Sequence, residues 1–279
     1  MIAILGGLGA AASWSITMLT ATRASRLIGS PATLAWVMLT GFAVVGPVAL
    51  AEGKPAALDG EALGWLALAG FGNVGGLLCI YSGLRRGNVG VIAPISSTEG
   101  AVAALIAVAA GEHLGIGTAL ALAAIVVGIV VTARAPAPDA DVDPRAALFG
   151  VGAAGAFGAS LYATGRASLD LPLMWAVLPP RLLGVAFVTL PLLVVRRLQL
   201  TREALPFVVA SGLAEVAGFV SYAVGARHGI AIAAVLGSQF AALAVVGAAV
   251  LFKERLGRMG IAGVVVIAVG VAVVSALRA

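Results

Sequence analysis

Long apolar runs alternate with short polar turns along the whole chain. Ten runs stand out, at roughly 2–22, 31–51, 62–84, 88–110, 114–133, 146–165, 172–195, 204–226, 229–252 and 257–277. A helix that crosses a bilayer needs about 20 apolar residues, and each run has about that length. The strands of a membrane barrel would alternate apolar and polar residues. These runs do not alternate, and Gly and Ala are spread through them. The pattern predicts an all-α membrane protein of ten transmembrane helices.

The connections are short, as at Arg85-Arg86-Gly87 and Arg227-His228-Gly229. The longest, 134–145, is rich in Pro, Asp and Ala and reads as a linker between two halves, 1–133 and 146–279. The chain starts in an apolar run without a basic segment before it, so that run reads as a retained span and not a cleaved signal peptide.

Composition sharpens this. Hydrophobic residues make up 61% of the 279 and charged residues 10%, whereas a soluble domain carries about 25% charged residues. So few charges cannot cover a water-facing surface, which excludes a soluble enzyme and a disordered or fibrous protein. Cys79 is the only cysteine, and His113 and His228 are the only histidines. No disulfide framework or zinc spacing follows, and no cofactor is expected. The basic residues sit at the ends of apolar runs, so the net charge of +5 reads as a topology signal and not as a nucleic-acid surface. Lys54, Arg166, Arg227 and Arg278 lie on one side. The other Lys and Arg residues, Arg181 apart, follow the odd-numbered runs. The positive-inside rule then puts the odd loops in the cytoplasm and both termini outside.

The second half repeats the first at an offset of 142 positions. Gly83, Arg85 and Gly87 fall on Gly225, Arg227 and Gly229; Ser96 falls on Ser238; Glu112, Leu114 and Gly115 fall on Glu254, Leu256 and Gly257; Gly128 falls on Gly270. At an offset of 143, Arg23-Ala24-Ser25 falls on Arg166-Ala167-Ser168. An odd number of spans in each copy forces the second to enter the membrane upside down. Inverted repeats of this kind are typical of secondary transporters, with the solute site near the midplane between the halves.

On these residues the chain resembles the drug/metabolite transporter superfamily, as a protein with two EamA domains. The most specific stretches are Gly83–Val131 and Gly225–Val273, with the turns Gly111-Glu112-His113-Leu114 and Lys253-Glu254-Arg255-Leu256. The Pro usual in the family's fourth and ninth helices would fall at Glu99 and Ala241 here, and Pro94 stands five residues before the first. Arg181 fits the family's Arg in the seventh helix; the equivalent place in the second is about Val37. The resemblance implies transport of a metabolite without saying which, more often export than import. Such proteins are usually drawn with both termini inside, opposite to the charge count.

Ionisable groups in mid-span are costly, so they normally face a cavity or a partner. Glu215 lies mid-way along the eighth run, and its repeat equivalent is Asn73. Ser211, Glu215 and Tyr222 share a helix face. Glu99 lies in a polar island with Ser96, matched in the ninth run by Ser238 and Gln239. Each carboxylate reads as a solute or proton site, or as a hydrogen-bonding group that only joins helices. Arg181 follows Pro179-Pro180, which should break or kink the seventh helix. It would bind a solute carboxylate or neutralise Glu215 or Glu99. Trp14, with Ser13 and Thr17, and Tyr162 are aromatic or polar candidates for lining a cavity or for packing.

The expected protein is a plasma-membrane secondary transporter that exposes a small metabolite alternately on its two sides. Two acids and one base suit an amino acid or amine. Without a Walker A sequence, a solute, proton or ion gradient supplies the energy. The expected partners are the solute, the bilayer and a coupling proton or ion, with room for a homodimer and none for nucleic acid. The alternative is a non-transporting scaffold or lipid-binding protein; an enzyme would need clustered nucleophiles, bases or ligands that the runs lack.

Overall fold

The computed structural model describes residues 1–84, 95–133, 144–240, 242–243, 246 and 258–278. The regular elements among them are helices: α1 (Ile2–Ile28), α2 (Ser30–Ala51), α3 (Gly60–Leu84), α4 (Glu99–Ala109), α5 (Ile116–Ala133), α6 (Pro144–Asp170), α7 (Leu173–Gly184), a π-helical turn (Val185–Thr189), α8 (Leu190–Val194), α9 (Leu205–Ala226), α10 (Ile230–Gly237) and α11 (Arg258–Arg278). In lipid, an unpaired backbone group costs several kcal/mol, and a helix pairs its own. That is why apolar runs with so few polar side chains fold this way.

Among the described residues, six helical stretches are long and apolar enough to cross a membrane: Ile2–Ile28, Ser30–Ala51, Gly60–Ile80, Leu148–Asp170, Leu173–Val194 and Leu205–Ala226. Glu99–Ala109, Ile116–Val131 and Ile261–Val271 are apolar and shorter. The chain is a multi-pass integral membrane protein. The Arg85–Gly87 turn, Pro94, most of the 134–145 linker, Ala241 and the Lys253–Leu256 turn lie outside the described residues.

Two local expectations change. The first helix does not stop near residue 22 but runs to Ile28, and α2 starts two residues later. Gly29, at φ 82°, makes the reversal alone, which a residue with a Cβ would resist. The seventh helix does not break at Pro179-Pro180; α7 passes through both. The ladder slips one turn later, in the π-helical turn before Pro191. Pro191 has no N–H to give to the carbonyl four residues back, at Phe187, so the α register fails there.

Small residues let the helices approach closely. A Cβ on Gly6 of α1 would sit 2.5 Å from the Gly225 Cα of α9, and one on Gly72 of α3 would sit 2.7 Å from the Ala156 carbonyl oxygen of α6. A Cβ on Gly128 of α5 would meet Ile267 of α11 at 2.8 Å. The principal pairs are α1 with α9, α3 with α6, and α5 with α11. Around them α4 packs on α6, α10 on α1, α2 on α9 and α3 on α7. The core at the centre gathers Trp14, Phe219 and Tyr222 among alanines.

Candidate substrate-binding cavity

The two polar islands are helix breaks. A turn at Ser97-Thr98 precedes α4, and a turn at Ser238-Gln239 follows α10. The Thr98 hydroxyl donates to the Ile95 carbonyl (2.7 Å) and the Ser238 hydroxyl to the Val235 carbonyl (2.9 Å). Such bonds to the preceding turn compete with continuation of the helix. The breaks lie against each other: any side chain on Gly100 would collide with the Ala234 carbonyl and the Ser238 hydroxyl. Glu99 thereby becomes the first residue of α4, at the end of the helix dipole that favours an anion.

Beside this crossing lies a cavity of about 250 Å³. Glu99 of α4, Asn73 of α3 and Glu215 of α9 stand on its wall. Most of the remaining wall is apolar, with Trp14, Phe157, Phe219 and Phe240 supplying aromatic rings. Trp14 meets Phe219 edge-on at 5.3 Å and Phe240 at 6.2 Å. The Asn73 Oδ1 is buried with no hydrogen-bond partner, as is the Trp14 indole nitrogen. Buried polar atoms normally find partners, so these two are open acceptor and donor positions at or next to the cavity.

Arg181 lies behind the wall, 1% exposed. Its Nη1 donates to the Glu215 Oε1 at 2.9 Å. The Phe219 ring centre is 4.7 Å from its Cζ, and Met38 Sδ is 3.7 Å from Nη1. Gly41 makes room: a Cβ there would sit 2.8 Å from the Arg181 Cδ. Nε and Nη2 have no partner. Of the three charged candidates, the two carboxylates reach the cavity and the guanidinium does not.

Glu215 also lines a second cavity of about 260 Å³, which leads past Thr17 to Thr22, Ser25, Ser30 and Thr33. This vestibule runs along the C-terminal half of α1 and the start of α2. At the other end of the bundle the helices are tied together. The Glu112 carboxylate, beyond α4, accepts from the Ile230 N–H (3.0 Å) and the Ala231 N–H (3.2 Å) at the start of α10. Arg227, after α9, donates to the Ser168 carbonyl (2.5 Å) and the Leu171 carbonyl (2.8 Å) at the end of α6. Acid on a helix N-terminus and base on a C-terminus both complement the helix dipole.

The remaining candidates have other places. The Tyr222 hydroxyl donates to the Leu161 carbonyl (2.8 Å) and is wholly buried between α9 and α6. Ser211 shares its face but donates to the Thr17 carbonyl of α1 (3.3 Å). Ser96 precedes the first break, and Ser238 lies in the second. Gln239 is buried, and its Nε2 has no partner. Tyr162 packs edge-on against Trp65 (5.7 Å) and lines a separate cavity at the tied end. Sequence reasoning missed Phe219, Leu34 and Leu77. Phe219 follows Glu215 by one helical turn, a usable signal; the leucines carry none. Among the described residues, no group of three or more His, Cys, Asp or Glu could hold a metal ion.

Residues 1–134 match the EamA-like transporter family. That match supports placement in the drug/metabolite transporter superfamily and implies a membrane transporter of small solutes. No curated protein matches the chain. Among solved structures, one titled "Crystal structure of protein" superposes with a TM-score of 0.82. It covers 99% of this chain and 96% of its own at 19% identity, so the likeness extends to the fold alone.

Proposed function

We propose that the protein is a secondary transporter that binds a small amine between two inverted five-helix repeats, 1–133 and 146–279, and exposes it alternately on each side. The observation that carries this reading is the charge of the central wall. Glu99 and Glu215 face the cavity while Arg181 is buried behind it. An amino acid would bring a carboxylate to a wall whose two ionisable groups are acids, Glu99 and the Arg181-paired Glu215. An amine brings only donors and a positive charge, and the aromatic rings add a cation–π surface.

The helix pairing supports the repeat. Exchange the halves, and α1–α9 becomes α6–α3, α10–α1 becomes α4–α6, and α2–α9 becomes α7–α3; α5–α11 maps onto itself. The two breaks obey the same exchange. Broken helices meeting at mid-bundle are a recurring device of transporter sites. Among the described residues a vestibule lies at one end and charged ties at the other, which supports reading the structure as one of the two states that alternation needs. The coupling species is a proton or ion, or the amine's own gradient drives it. The proposed setting is the plasma membrane and the proposed direction is export, as the resemblance suggests.

The test is counterflow of radiolabelled butylammonium in proteoliposomes. Saturable flux is expected. Glu99→Gln and Glu215→Gln should each weaken it about 10- to 100-fold, the worth of a hydrogen bond to a charged group. Full flux in both variants would refute the site. No flux from folded wild-type protein with butylammonium or a panel of amino acids would favour the scaffold reading.

A further inference from the structure

A crevice of about 800 Å³ opens on the flank of the bundle between α2, α3 and the π-helical turn. Its described lining is almost wholly apolar, including Pro31, Phe71, Val74, Leu78, Phe187 and Val188. Phe71, Leu78 and Phe187 are each more than half exposed, so it faces outward at the level of the spanning helices, where lipid is the solvent. Phe71 and Phe187 approach to 6.3 Å across it. The crevice is not isolated. Leu77 lines both it and the central cavity, and Leu34 lines the central cavity, the vestibule and the crevice together. The central cavity with its two acids and the apolar, membrane-facing slot thus have two leucine side chains as their common wall.

We infer that the site takes an amphiphilic amine, with one cationic head and an unbranched apolar tail. The head lies at Glu99, Asn73 and Glu215, and the tail passes between Leu34 and Leu77 into the crevice. This rests on the amine reading and narrows its substrate class. The acids on the cavity wall place the head: Glu99, and Glu215, which it would share with Arg181. Adjacency directs the tail, because the apolar crevice lies across Leu34 and Leu77 from that wall. A small hydrophilic amine would leave the crevice to lipid chains; an amphiphile fills both compartments with one molecule.

The test is a chain-length series. Unlabelled n-alkylammonium ions from ethyl to decyl compete with butylammonium counterflow, with each concentration corrected for partition into protein-free liposomes. For a buried tail, the half-inhibiting concentration should fall by about threefold to fourfold per methylene. Gly75→Leu and Val188→Trp each place bulk in the crevice. At Gly75 the space exists, since an added Cβ meets only the Ala156 Cβ, at 3.9 Å. In each variant the ratio of ethyl to decyl inhibition should collapse toward one; reading a ratio removes any change in overall activity. A flat series in wild type overturns the inference and leaves the amine reading standing. A steep series that both plugged variants retain also overturns it, since the tail then lies elsewhere. If no alkylammonium competes at any length, the amine reading itself fails, and the inference with it.

Discussion

Among the described residues, the two ends of the bundle are held by different contacts. At one, ionised side chains reach onto helix termini: Glu112 onto α10 and Arg227 onto α6. Here α1 and α9 also meet glycine on glycine, at Gly6 and Gly225. At the other, the described ties are neutral: Ser211 to the Thr17 carbonyl and Thr189 to the Ala35 carbonyl. A hydroxyl-lined vestibule separates the strands of contact there. Hydrogen bonds to charged groups are roughly twice as strong as neutral ones. In the proposed cycle the charged end is the closed one; among the described residues, the central cavity shares Thr17, Leu34 and Glu215 with the vestibule at the neutral end.

The largest expected effect comes from the pair that stands between the two ends. Arg181→Met leaves the Glu215 carboxylate half-buried without its partner. Removing one member of a buried ion pair costs about 3–5 kcal/mol, so thermal unfolding in detergent should shift far below wild type. A near-unchanged midpoint would mean that the pair is not a structural tie. Next comes the latch. Glu112→Ala strips two backbone donors of their acceptor and should cost about 1–3 kcal/mol. In a Cys79→Ala background, it should also raise maleimide labelling of Ala107→Cys, which lines the closed end. Stability lost without any gain in labelling would make Glu112 a helix cap and nothing more. The smallest effect is at the open end. Ser25→Cys lines the vestibule and should label readily while changing stability by about 0.5 kcal/mol or less. Protection there would contradict the assignment of the open end.

Much of this was legible in the chain and some was not. Helices followed from run length, since lipid leaves a backbone few other choices. Glu99, Glu215 and Asn73 were legible because a polar side chain in an apolar run needs a reason, and all three reach one cavity. The roles of Tyr222 and Tyr162 were not, because helical periodicity names a face but not what the face meets. Pro179-Pro180, read as a break or a kink, did not break the helix, for a related reason. The helix absorbed that pair, and the slip came at the next proline, in a turn that no propensity marks. Leu34 and Leu77 were invisible: a leucine between two cavities looks like any other leucine.

The central claim is that an amine moves this cavity from one end to the other. Maleimide labelling of Ser25→Cys and of Ala107→Cys, each in reconstituted protein with and without saturating butylammonium, tests it most directly. The account predicts opposite changes at the two ends: labelling falls at Ser25→Cys and rises at Ala107→Cys. Adding Glu215→Gln should abolish both changes. Labelling that amine leaves unchanged at both ends, or shifts in the same direction at both, would contradict it.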